Sequence, residues 1–161
     1  MRYELRYFET QQLLVVRTWE RSSLHGFKQM LDAIRSHPMR ANTRRILIDH
    51  RLLEVVESSK NTREFAEALK RNVDDLLPAR RATVVSSALL FGLTRMWETL
   101  IEVADVTFDH VVTEEVSKAL GHLGLNATFE AQLAALPPPG SELISSVDDE
   151  DDEFTEEPSN H

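Results

Sequence analysis

The sequence predicts an α/β fold in which helices pack on a mixed, mostly parallel β-sheet. Three observations favour it. Short apolar runs typical of strands alternate with amphipathic stretches typical of helices, the first two strand-like runs are separated only by a polar turn, and prolines or capping residues divide the rest. The predicted order is β-β-α-β-α-β-α-β-α. Strands joined through helices pair in parallel, so the antiparallel pair is expected at one edge.

The N-terminal third predicts a hairpin, a helix and a buried strand. Residues 3–7 alternate between apolar and charged side chains, and the apolar run 12–19 follows after a polar turn, a pattern typical of a β-hairpin. A serine-capped amphipathic helix comes next and ends by His37, because Pro38 disfavours helical geometry in the residue before it. The short apolar run 44–50 then predicts a buried strand.

The next part of the chain predicts two further strands, each between helices. Residues 61–76 carry one apolar stripe opposite several oppositely charged i,i+4 pairs, which is typical of a surface helix. The run 81–87 is interpreted as a strand and 89–104 as a helix with a broad apolar face. Residues 105–112 predict the last strand, and 113–124 a helix that begins at a threonine cap and ends at a glycine.

The length and the charge distribution predict one domain with an acidic tail. One globular domain is expected over residues 1–125, a short helical extension over 126–136, and a disordered acidic tail over 137–161, after a triple proline. All of the net charge of −9 lies from residue 142 onward, since residues 1–141 hold 18 acidic and 18 basic side chains. The folded part is therefore electrically balanced.

This composition argues against several functional classes. Balanced charge indicates neither a nucleic-acid surface nor a polybasic membrane patch, and zero cysteines exclude disulfides and thiolate catalysis. No apolar run approaches the ~20 residues of a membrane span and the start has no apolar signal segment, so a cytoplasmic protein without an integral membrane segment is expected. The six histidines lack ligand spacing. We expect no metal, no cofactor and no nucleic-acid partner.

Three segments resemble the SpoIIAA-like family of small bacterial proteins, which share the STAS fold and are often grouped with Sec14-type lipid-binding domains. They are "RRILIDHR" (44–51), "ATVVSSALLFGLTRMWE" (82–98) and "VVTEEVSKALGHL" (111–123), and the resemblance spans roughly residues 3–125. The middle segment is the most specific. The last one has His122 where members commonly have tryptophan.

The resemblance implies a module without catalytic activity. Some members are switched off by phosphorylation of a serine in Asp-Ser-Ser-Gly at the start of the second helix. The matching position here is Ser58, although Glu57 replaces the aspartate and Lys60 replaces the glycine.

Candidate site residues cluster where strands of the predicted sheet end, which is the edge at which open parallel sheets bind ligands. Each has a structural explanation as well. Asp49 and Arg51 could bind a ligand or fix a loop through charge-assisted hydrogen bonds, and Ser86 or Ser87 could bind an anion or cap a helix. Two further candidates lie outside the apolar face of the following helix: Phe91, whose burial requires a neighbour, and Arg95, which could pair with Glu98.

The leading hypothesis is a non-enzymatic regulatory or binding module that binds a protein partner or a small apolar or anionic ligand and forms a homodimer. One alternative is a phosphorylation-controlled switch at Ser58, similar to anti-sigma-factor antagonists. A second is a hydrolase that uses Asp49, His50 and Ser86, for which no nucleophile-elbow motif is present.

Overall fold

A computed structural model describes residues 1–54, 64, 67–68, 79–88, 90–92, 94–95 and 109–141. Five strands form one mixed sheet, and they lie side by side in chain order. They are β1 (Arg2–Phe8), β2 (Leu13–Arg21), β3 (Arg45–Glu54), β4 (Arg80–Val84) and β5 (His110–Thr113). The predicted α/β class with a mixed sheet is confirmed. Most residues of the predicted helices over 61–76 and 89–104 lie outside the described residues, so the full alternation of strands and helices stays a prediction.

The N-terminal hairpin is the antiparallel part of the sheet. β1 pairs with β2 from Arg2 opposite Trp19 to Phe8 opposite Leu13. The turn between them is closed by a 3.0 Å hydrogen bond from the Gln12 amide to the Glu9 carbonyl, with Gln12 at a φ of 47°. The pairs β2–β3, β3–β4 and β4–β5 are parallel. The carboxyl ends of β2, β3, β4 and β5 therefore meet at one edge of the sheet.

Helix α1 (Leu24–Ser36) covers one face of the sheet. It begins at Ser23, whose hydroxyl accepts a hydrogen bond from the Gly26 amide, and His37 is already extended ahead of Pro38, as the sequence predicts. A single 3₁₀ turn (Arg40–Asn42) leads from this helix to β3. The buried apolar residues of this face are Leu14, Val16, Phe27, Met30, Leu31, Ile34, Ile46, Ala68 and Ala79.

Helices α2 (Val116–His122) and α3 (Ala127–Ala134) cover the opposite face. They are joined at Gly124, whose φ of +70° is the left-handed geometry that commonly ends a helix, and Asn126 caps α3 through the Phe129 amide. Phe129 meets Phe8 edge to face at 5.0 Å. The buried residues of this second apolar layer are Leu13, Val15, Leu47, Ala82, Val84, Ala119, Leu120, Leu123 and Phe129.

The carboxyl end of β3 is irregular. Arg17 pairs with Asp49 but Trp19 pairs with Leu52, so β3 holds one more residue than β2 over this interval, which is a β-bulge. Asp49 is also the last residue of β3 that pairs with β4, opposite Val84. β3 therefore runs on to Glu54 past the described end of β4.

Residues 136–141, here called the C-terminal strap, return to the hairpin after α3. The Pro137 carbonyl accepts a 2.8 Å hydrogen bond from Arg17, and the Gly140 amide lies 3.4 Å from a Glu4 carboxylate oxygen. Gly140 has a φ of +81° and lies so close to the Trp19 ring that a Cβ would be 3.3 Å from it. The predicted tail, residues 137–161, thus begins with residues that contact the sheet, and its remainder from 142 lies outside the described residues.

Candidate ligand-binding site

A cavity of about 340 Å³ lies at the carboxyl ends of β2, β3 and β4, between the sheet on one side and α3 with the C-terminal strap on the other. This is the edge at which ligands bind in open parallel sheets. The residues that line it are Val15, Arg17, Thr18, Leu47, Asp49, Arg51, Leu52, Val84, Val116, Leu133, Ala134, Leu136 and Pro139.

Nine of the thirteen residues that line the cavity are apolar. Side chains alternate between the two faces of a strand, so Val15, Leu47 and Val84 point to the same face and form a floor in which each is at most 2% exposed. Leu133 and Ala134 at the end of α3 form the opposite wall, which the strap continues. At this end of the second apolar layer, the sheet and the end of α3 are thus separated by the cavity.

Asp49 and Arg51 form the polar end of the cavity. Arg51 donates to Asp49 Oδ1 from Nε at 2.9 Å and to Oδ2 from Nη2 at 2.8 Å, and its backbone amide donates to Oδ1 at 3.1 Å. Burial raises the pKa of Asp49, but the hydrogen bonds and the positive charge of Arg51 outweigh burial and hold that pKa below its ordinary value. The same hydrogen bonds raise the pKa of Arg51. Both groups are charged at neutral pH.

Arg17 is a site residue that sequence reasoning missed. Its Nη1 lies 2.9 Å from Glu4 Oε1, and the two side chains are only 14% and 23% exposed. The same nitrogen also donates a hydrogen bond to the Pro137 carbonyl, which holds the C-terminal strap beside the cavity. The ion pair with Glu4 keeps the Arg17 side chain in position for this hydrogen bond. A signal was present in the sequence, since Glu4 and Arg17 lie directly opposite each other once the hairpin register is set by its turn.

The other predicted residues lie outside the lining of the cavity. Ser86 and Ser87 are exposed, and the Ser87 hydroxyl accepts a 3.2 Å hydrogen bond from the Leu90 amide, which is the predicted helix cap. Phe91 is 36% exposed and Arg95 is exposed in the helical residues that follow. Of the six candidates, the structure therefore brings Asp49 and Arg51 together in the cavity and leaves four outside it.

His50 lies on the α1 face of the sheet, on the opposite side from Asp49. Its Nδ1 lies 2.7 Å from the Thr18 hydroxyl, and the residue is only 5% exposed. Burial lowers the pKa of His50 to about 4, with His110 adding to the effect and Asp49 opposing it, so the ring is neutral at pH 7. In the hydrolase alternative Asp49 would orient His50, but the described hydrogen bonds link Asp49 to Arg51 and His50 to Thr18.

Two other kinds of feature, a metal site and a membrane span, are absent from the described residues. No group of three or more histidine and carboxylate side chains among them could hold a metal ion. No helix that they form has the length and apolar character needed to cross a membrane. Ser58, the predicted phosphorylation position, lies outside the residues that the structure describes.

No protein-family model, curated protein or solved structure matches this chain. The resemblance to the SpoIIAA-like family therefore stays a prediction that rests on the three sequence segments.

Proposed function

We propose that the chain is a non-enzymatic binding module of the SpoIIAA-like, STAS type, which holds a small apolar ligand in the cavity between its sheet and α3. The observation that carries the proposal is the cavity itself. Binding sites for small molecules are typically concave and largely apolar, with a few polar groups that fix orientation, and they measure roughly 300–1,000 Å³. At about 340 Å³, with apolar walls and one polar end, this cavity fits that description at its small limit.

The pairing of the polar groups supports binding more than catalysis. A general base needs a basic atom within reach of a substrate proton and a pKa near the working pH. The Asp49 carboxylate is engaged by Arg51 at both oxygens and its pKa is lowered, which weakens it as a base. The pair is suited to orienting a ligand at one end of an apolar pocket.

Octan-1-ol provides a direct test, because it is uncharged and has a single apolar chain. In a protein with ¹³C-labelled Leu and Val methyl groups, titration should give saturable shifts at Leu47, Val84 and Leu133. Leu31 is the internal control, since it is buried against the other face of the sheet. Absence of saturable shifts at the cavity methyls would overturn the proposal.

A matched pair of substitutions on α3 tests the location. Ala134→Phe should fill part of the cavity and weaken octanol binding at least tenfold, because Ala134 lines it. Ala131→Phe is the control, an exposed position on the same helix outside the lining. Equal binding by the two variants would contradict this assignment.

A protein partner is the second candidate, and two exposed apolar side chains support it. Leu52 is 59% and Phe91 36% exposed. Leu52 lies near the carboxyl end of β3, and Phe91 follows the carboxyl end of the adjacent strand β4. A homodimer formed through this edge would show twice the chain mass in light scattering, and a Leu52→Ser, Phe91→Ser double variant would be monomeric. A monomeric parent protein would rule out the dimer.

A further inference from the structure

We infer that the ligand of this cavity carries a carboxylate on its apolar body and that Arg51 binds the carboxylate. The inference rests on the proposed function and adds the chemical class of the ligand. The inference comes from the N–H donors at the polar end of the cavity that the Arg51–Asp49 ion pair does not use.

The charged lining has an excess of hydrogen-bond donors. Arg17, Asp49 and Arg51 are the charged side chains of the lining. Arg17 is paired with Glu4 and Arg51 with Asp49, so these charges balance and the excess is one of N–H donors. Both oxygens of Asp49 already accept hydrogen bonds from Arg51. A guanidinium group has five N–H donors and no acceptor. A ligand head that meets this end therefore finds donors, which an oxyanion satisfies and an ammonium group does not.

Arg51 is the more accessible of the two arginines. It holds Asp49 through Nε and Nη2, and among the described residues its Nη1 makes no hydrogen bond. Its side chain is 48% exposed, against 14% for Arg17, whose Nη1 is engaged by Glu4 and the strap. Arg51 can thus keep its ion pair and still donate to a ligand.

The size of the cavity selects among oxyanion-bearing molecules. A volume of about 340 Å³ is near the lower limit for small-molecule sites and favours one short chain or one ring. The apolar floor of Val15, Leu47 and Val84 would hold the body while the head stays at the Arg51 end. A free monocarboxylic acid fits this arrangement, whereas the headgroup of a two-chain lipid would leave its chains outside.

Three probes with the same eight-carbon chain separate the possibilities: octanoate, octan-1-ol and octylammonium. We expect octanoate to bind the full chain at least tenfold more tightly than octanol, and octylammonium more weakly than either. Isothermal titration at low ionic strength gives the three dissociation constants. The preference should shrink at high salt, because part of it is electrostatic.

Variants then assign the preference to a residue. Arg51→Gln should lower the affinity for octanoate and so remove the preference for octanoate over octanol. Arg35→Gln is the control, since Arg35 forms an exposed ion pair with Asp32 on α1. The octanol value of each variant also shows whether its cavity is intact, so a folding defect cannot be mistaken for loss of recognition.

The outcomes are distinct for the two proposals. Equal binding of octanoate and octanol would overturn the carboxylate inference and leave the apolar binding module standing. Preference for octylammonium would overturn it as well and point to Asp49 as the recognition group. Failure of all three probes would overturn the proposed function itself. If phosphatidylglycerol vesicles displaced bound octanoate, the ligand would be a lipid headgroup and not a free acid.

Discussion

Asp49 and His50 are neighbours in β3, yet they belong to opposite kinds of polar site. Asp49 points to the α2–α3 face, where its partner Arg51 is 48% exposed at the edge of an open cavity. His50 points to the α1 face, where it is 5% exposed and bonded to Thr18. β3 thus supplies both residues of a charged, accessible pair, and it supplies His50 to a neutral, enclosed pair with Thr18 of β2. The comparison teaches that accessibility separates a candidate recognition site from a polar group that serves the fold.

The largest expected difference between the two sites is their response to acid. A histidine whose folded pKa is about 4 and whose unfolded pKa is about 6.5 takes up its proton in the unfolded state first. The contribution of neutral His50 to the free energy of unfolding is therefore fully present above pH 6.5. It is lost as the pH falls from 6.5 to about 4. The loss amounts to roughly 3 kcal/mol, at about 1.4 kcal/mol per pH unit.

Urea unfolding at a series of pH values between 7 and 4 measures this loss. Carboxylates contribute to any acid destabilisation, so the comparison is made with His50→Gln, which can keep a hydrogen bond to Thr18 and has no titration in this range. The pH dependence should be markedly flatter in this variant. Identical curves for the two proteins would show that His50 does not titrate as described.

The second prediction concerns the hydrogen bond inside the enclosed pair. Thr18→Val keeps the side-chain shape and removes the hydroxyl that lies 2.7 Å from His50 Nδ1. A buried polar atom left without its partner costs about 1–3 kcal/mol, so the free energy of unfolding should fall by about 2 kcal/mol. Urea unfolding at pH 7 checks this value. A change below about 0.5 kcal/mol would mean that His50 finds another partner.

The smallest effect on stability is expected at the accessible pair. Arg51→Gln breaks the ion pair with Asp49, but because Arg51 is half exposed the free energy of unfolding should fall by less than about 1 kcal/mol. The same denaturation experiment measures it beside Thr18→Val. If Arg51→Gln proved the more damaging of the two, the assignment of Arg51 to recognition and of Thr18 to the fold would be reversed.

Local sequence signals predicted much of the fold and part of the site. The end of α1 at Ser36, the Ser87 cap and the Asp49–Arg51 contact each depend on residues at most a few positions apart. The missing nucleophile-elbow motif was the sequence signal against the hydrolase alternative.

The cavity depends on contacts that no local pattern encodes. Arg17 and Pro137 are 120 residues apart, and a triple proline beside an acidic segment is typical of a domain limit, so no sequence pattern predicts that the strap contacts the hairpin. The fit of Gly140 against Trp19 is equally nonlocal. To predict the wall opposite the sheet, one would need the position of α3 relative to the sheet. The packing of Phe129 on Phe8 contributes to that position.

The return of the strap to the first hairpin has a consequence for the order of assembly during synthesis. The floor of the cavity is supplied by β2, β3 and β4, which the ribosome completes early, whereas the wall opposite comes from residues 133–139. A nascent chain can therefore form these strands before the residues of the opposite wall, 133–139, have been synthesised. The cavity is therefore complete only when the chain has reached Gly140, which lies beside Trp19.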